Sequence, residues 1–124
     1  MTNPPKAEIE LLRKTYTAFN ARDLDAAIAV MTPDVTWPRA FKGGFVHGPK
    51  EIRSYWSEQG SEIDANVEPI AFHPEENNRI LVDVHQIVRD LEGKVIADQM
   101  VGHRFTFKEG LIQGMEICSP LTSE

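Results

Sequence analysis

The stretch from Arg79 to Cys118 constrains the fold more than any other, because three runs in it alternate apolar and polar residues with a period of two. Short glycine-containing turns separate the runs, which therefore read as a three-stranded antiparallel meander. The first run sets Ile80, Val82, Val84, Gln86 and Val88 on one face. A two-residue hairpin loop at Glu92-Gly93 pairs Val84 with Val101 and Val82 with His103. Val95, Ala97, Gln99, Val101, His103, Phe105 and Phe107 then share the apolar face. Lys108-Glu109-Gly110 suits a three-residue loop with a left-handed glycine, which pairs Phe107 with Leu111 and adds Gln113, Met115 and Ile117. This face is hydrophobic except at Gln86, Gln99, His103 and Gln113. A polar side chain aimed into a core needs a partner, a water or a ligand, so these residues are where function is sought first.

Upstream the pattern changes from period two to helical spacing. Ile9, Leu12, Tyr16 and Phe19 predict an amphipathic helix from about Lys6 to Ala21. Asp23 is placed to cap a shorter helix carrying Leu24, Ala27, Ile28 and Met31, ended by Thr32-Pro33. Asp34 to Trp37 predicts a short strand stopped by Pro38, followed by a loop through Arg39, Phe41 and Gly43-Gly44. Gly48-Pro49 opens a third helix with Ile52, Tyr55 and Trp56 on one face and Gly60 at its end. Glu62 to Phe72 reads as a strand, at an edge or a bulge because Pro69 lies inside it, before a turn over His73 to Asn78.

A chain of 124 residues with this single pattern makes one domain spanning 1–124, with flexible tails expected at about 1–5 and 119–124. The net charge of −6, with no dense Lys/Arg cluster, argues against a nucleic-acid partner. No apolar run approaches a membrane span and the first residues lack the apolar core of a secretory signal, so a soluble cytoplasmic protein is expected. The single Cys118 makes neither an internal disulfide nor a thiolate metal cluster.

Helices first and strands last predict an α+β fold: three N-terminal helices packed in the concave face of a curved antiparallel sheet, cone-shaped with an internal pocket. That order, with Phe19-Asn20-Ala21-Arg22-Asp23-Leu24-Asp25-Ala26, Gly48-Pro49-Lys50-Glu51-Ile52 and the late Phe107 to Met115 segment, resembles the nuclear transport factor 2-like superfamily, in particular its SnoaL-like branch. The resemblance covers essentially the whole chain. It implies a cofactor-independent enzyme such as an isomerase, cyclase, dehydratase or hydrolase acting on a lipophilic oxygenated compound, or else a non-catalytic binding or assembly module, because this fold hosts both. It also implies a homodimer formed through the outer sheet face.

The carboxylates of the better-defined relatives are missing. Where the resemblance to ketosteroid isomerases puts the catalytic base, the chain has Arg39, or Pro38 with a one-residue slip; where it puts a buried aspartate, the chain has His103. The helical tyrosine position falls at Thr15, beside Tyr16. The aspartate-arginine-aspartate set of limonene epoxide hydrolases falls on Gln86, Val84 and Ile117. The catalytic candidates are therefore His103, Tyr16 and Arg39, with His103 as acid/base and Tyr16 or Gln86 as donor to an oxyanion. Phe19, Trp37, Trp56, Gln86, Gln99, Val101 and Met115 are the expected substrate-binding wall.

Each candidate also has a plainer reading. His103 fits a hydrogen-bonded core histidine, Gln86 and Gln99 fit a cross-strand pair, and the aromatic residues fit a packed core. Arg39 fits a solvated loop residue as well as a clamp on a carboxylate or enolate. His47 and His73 are expected at the surface. On the opposite sheet face, Asp83, His85 and Asp98 fit salt links at an interface better than a metal site, and no metal is expected.

Overall fold

In the computed structural model, which describes residues 6–39 and 42–121, the stripe Ile9, Leu12, Tyr16 and Phe19 becomes the inner face of α1 (Lys6–Asn20). Leu12 and Tyr16 are buried and anchor the helix to the sheet. The Asp23 carboxylate accepts the Ala26 N–H and caps α2 (Leu24–Ile28). This helix is shorter than its apolar spacing predicts. Met31 instead opens a strand, β1 (Met31–Pro38), where Pro33 sits in an irregular stretch of pairing and its missing N–H costs no regular ladder bond.

The segment after Pro38 turns back into a short strand, β2 (Phe45–His47), which pairs antiparallel with β1 through Trp37 and Val46. At three residues it is too short to show a period in sequence. Phe41, expected in the preceding loop, lies outside the described residues. Helix α3 (Gly48–Gly60) follows with Pro49 in its first turn, and Glu51 reaches back to accept the N–H of His47 at 2.8 Å. Its buried face is Ile52, Tyr55 and Trp56.

The remaining strands are β3 (Asp64–Glu75), β4 (Arg79–Arg89), β5 (Val95–Lys108) and β6 (Leu111–Cys118). Among the described residues, three helices accompany one six-stranded sheet of order β2-β1-β6-β5-β4-β3. The fold is α+β, but the sheet is mixed rather than wholly antiparallel, because β1 runs parallel to β6. Strand β3 is an edge, and its pairing with β4 shifts between Pro69 and Ala71, as the proline requires. It runs on to Glu75, so His73 lies on a strand and not in the expected turn.

The β4–β5 register is the one predicted, with Val82 opposite His103 and Val84 opposite Val101. The connecting turn is longer than two residues: Asp90 N–H meets Lys94 C=O at 2.8 Å, and a pairing shift between Val88 and Arg89 restores the register. The β5–β6 register differs from the prediction. Glu109 and Gly110 both take positive φ, 53° and 83°, and form a two-residue turn whose twist suits a hairpin. Lys108 then faces Leu111, and a shift after Thr106 sets Phe105 opposite Met115 and His103 opposite Ile117. The irregularity at Gln113 breaks strict alternation, which lets both Ile112 and Met115 be buried.

On the outer face the segment after β6 lies against the sheet. A Cβ built on Gly102 would stand 2.6 Å from the Ser119 carbonyl oxygen, so glycine is what lets the two backbones approach. Leu121 N–H donates to Asp83 at 2.8 Å, and the other Asp83 oxygen lies 2.9 Å from His73 Nε2. Asp83 is 1% exposed, a buried carboxylate met by an imidazole and a backbone amide. Beside it, His85 pairs with Asp98 at 2.7 Å.

Candidate functional site

Between α1, α3 and the inner sheet face lies a cavity of about 80 Å³. Helical spacing aims Tyr16 and Phe19 from α1 and Tyr55, Trp56 and Gln59 from α3, while β1 contributes Trp37 and strands β4 to β6 contribute Gln86, His103, Phe105, Met115 and Ile117. The aromatic rings brace one another: Trp37 and Trp56 cross at 89° with centroids 5.4 Å apart, and Phe19 meets Trp56 at 5.1 Å. None of the lining side chains is an aspartate, glutamate, lysine or arginine.

At the inner end Tyr16 Oη lies 2.8 Å from His103 Nδ1, a contact between residues 87 positions apart. Burial pushes the phenol well above its ordinary range and pulls the imidazole down to about 4. Both groups are neutral at neutral pH. With Tyr16 donating to Nδ1, the ring proton sits on Nε2, which becomes a hydrogen-bond donor; with the opposite tautomer Nε2 is an acceptor. Among the described residues, Nε2 has no protein partner. The sole sealed side-chain polar atom without a partner there is Arg79 Nε, so His103 Nε2 keeps its access to the cavity.

Gln86 repeats the pattern. It is 8% exposed, lines the same cavity, and its amide has no partner among the described residues. The indole N–H groups of Trp37 and Trp56 are likewise without protein acceptors there. Thr15 also lines the cavity, but its hydroxyl is already bonded to the Leu11 carbonyl at 2.7 Å, so the neighbouring Tyr16 supplies the phenol that meets His103. An apolar chamber lined by groups with unused hydrogen-bonding capacity suits a lipophilic molecule that carries oxygen.

Of the predicted residues, the structure brings His103, Tyr16, Phe19, Trp37, Trp56, Gln86 and Met115 together. Three are not in the lining. Gln99 does face Gln86 in register, yet it is exposed, because no helix covers the first half of β5. Val101 is half-buried and packs against the core. Arg39 is half-buried with its Nε on the Gly43 carbonyl at 2.9 Å, which ties it to its own loop. Tyr55 and Gln59 were not singled out from sequence as site residues; their i, i+4 spacing on α3 is the signal that links them. Among the described residues, no group of three or more His, Cys, Asp or Glu is arranged to hold a metal ion.

Helices closing an apolar chamber over a mixed sheet define the class, a small α+β domain with an internal ligand cavity. The chain belongs to the SnoaL-like domain family, whose model matches residues 12–115. Comparison with curated proteins gives no match. Among solved structures, TerC co-crystallised with polyporic acid is 24% identical, with a TM-score of 0.79 and 91% of each chain covered. A nuclear transport factor 2-like protein of unknown function from Burkholderia pseudomallei is 26% identical, with a TM-score of 0.78 over 90% of this chain and 88% of that one. A Mycobacterium tuberculosis protein in complex with estradiol-17beta-hemisuccinate has a TM-score of 0.78 at 14% identity, covering 93% of this chain and 95% of that one.

Proposed function

We propose that this chain binds a lipophilic, oxygen-bearing small molecule in the cavity and converts it as an isomerase, cyclase, dehydratase or hydrolase that uses no cofactor. The buried Tyr16–His103 pair, with Nε2 open to the cavity, carries the proposal. An imidazole whose conjugate acid has a pKa of about 4 is a weak base, and its better role is as a neutral donor. Tyr16 fixes the ring, Nε2–H and the Gln86 amide hold the oxygen on which negative charge develops, and the aromatic wall excludes water. The ligands named for TerC and the Mycobacterium tuberculosis protein, polyporic acid and estradiol-17beta-hemisuccinate, support this substrate class. The absence of any carboxylate from the lining favours a second reading, in which the cavity binds without turnover.

Both tryptophans of the chain line the cavity, so intrinsic fluorescence reports its occupancy directly. Screening hydroxyquinones, enones and phenols by quenching, then following bound compounds by absorbance, separates the two readings. His103→Gln is expected to retain binding and to lose roughly 100-fold in turnover. Binding without turnover in the wild type establishes the second reading, and undiminished turnover in the variant removes His103 from the mechanism.

A further inference from the structure

Gln59 borders three spaces at once: the inner cavity, a groove of about 300 Å³ beside β4 and β5, and a second groove of about 260 Å³ beside α1 and α2. Its carbonyl accepts the Glu62 and Ile63 N–H groups at 3.0 and 2.9 Å, which pins its backbone at the end of α3. The side chain is held more lightly. Among the described residues it makes one hydrogen bond, of 3.1 Å, from Nε2 to Tyr55 Oη. Tyr55 is the other residue shared between the inner cavity and the larger groove, so this pair is the partition between them. The groove beyond is floored by Ile63, Val88, Ile96 and Ala97, with Ile96 55% exposed. Lys42 at its rim is already paired with Glu58 and Glu62, which leaves an apolar floor and no unpaired cation.

The inner cavity holds only a few waters or one small organic group, since each water needs roughly 10–15 Å³ measured this way. Resting on the ligand-binding reading above, we propose that the natural ligand is elongated. Its oxygen-bearing head takes His103 and Gln86, and an alkyl or aryl tail passes between Tyr55 and Gln59 to lie on the Ile63–Ile96 groove. The other groove shares Phe19, Trp56, Ala65 and Gln59 itself with the cavity, but Phe19 and Trp56 meet edge to face across it, and Arg22, Ser57 and Gly60 line it, so it offers a tail less apolar surface than the Ile63–Ile96 groove. Gln59 thereby sets the chain length that the site accepts.

A homologous series of methyl ketones, from butanone to methyl nonyl ketone, tests this with the two indole N–H resonances as the readout. Once the head fills the inner cavity, each added methylene should tighten binding roughly threefold to fourfold as it is buried in the groove. Intermolecular NOEs should join the terminal methyl of the longest ketone to Ile63 and Ile96. Ile96→Asn, at an exposed position that tolerates change, should collapse the ratio of long-chain to short-chain affinity towards one. If short and long ketones both fail to bind, the cavity reading falls and this inference with it. If short ketones bind but affinity stops rising at the inner cavity, or Ile96→Asn leaves the ratio unchanged, the elongated ligand alone is overturned.

Discussion

At His103, burial acts on protonation before any ligand arrives. The folded-state pKa of about 4 lies below the ordinary 6.5, so between these values the unfolded chain takes a proton that the native ring refuses. The resulting stability is fully present above 6.5 and is lost as pH falls towards 4, to an extent of about 3 kcal/mol. His103→Gln should therefore lose more stability at pH 7 than at pH 4.5, read as the gap between wild-type and variant urea midpoints. A gap independent of pH would show that the ring titrates normally. The polar residues on an apolar strand face were legible because alternation leaves no other account of them, and His103 and Gln86 both line the cavity. Gln99 has the same signal and is exposed, because coverage by a helix is decided at long range. Gln59 carries no signal of its own in sequence, since a glutamine near a helix end ordinarily faces water.

Elements are positioned here by backbone contacts that sequence periodicity does not express. Gly102 is buried in β5, and the Ser119 and Cys118 carbonyls crowd the place of its missing Cβ at 2.6 and 3.0 Å. Those atoms belong to the backbone and cannot rotate away. Gly102→Ala should cost about 1–3 kcal/mol in urea unfolding and speed hydrogen exchange at the Leu121 amide, which is bonded to Asp83. Unchanged stability with a protected Leu121 amide would show that the segment does not press on β5. The same kind of contact explains where the predicted strands were displaced. The β4–β5 register was legible because matching apolar faces and a glycine turn agree on it. The β5–β6 register was not, because a tighter turn at Glu109-Gly110 and an irregularity at Gln113 compensate each other in facing direction while moving the pairing by two residues. The parallel pairing of β1 with β6 joins chain segments about eighty residues apart and has no local signature.

For the whole molecule, the helices cover one face of the sheet and leave the other with a mixture of apolar and charged groups. Met100 is 39% exposed opposite His85, and the His85–Asp98 pair lies beside it. No helix among the described residues is long and apolar enough to cross a membrane. A sheet face that is half apolar and carries paired charges suits a self-complementary contact, in which each copy presents the same patch to the other. We therefore expect a homodimer whose interface includes Met100. Met100→Glu puts a carboxylate at that patch beside Asp98 and Glu68 of the same sheet, and burying it against a second copy would leave a charge without a partner. Its partial exposure in the single chain lets the variant fold, so the substitution reads association and not stability. Light scattering at micromolar concentration should give a dimer for the wild type and a monomer for the variant, with both retaining the same far-ultraviolet circular dichroism. A monomeric wild type, or a variant that remains dimeric, would place any self-association elsewhere on the molecule.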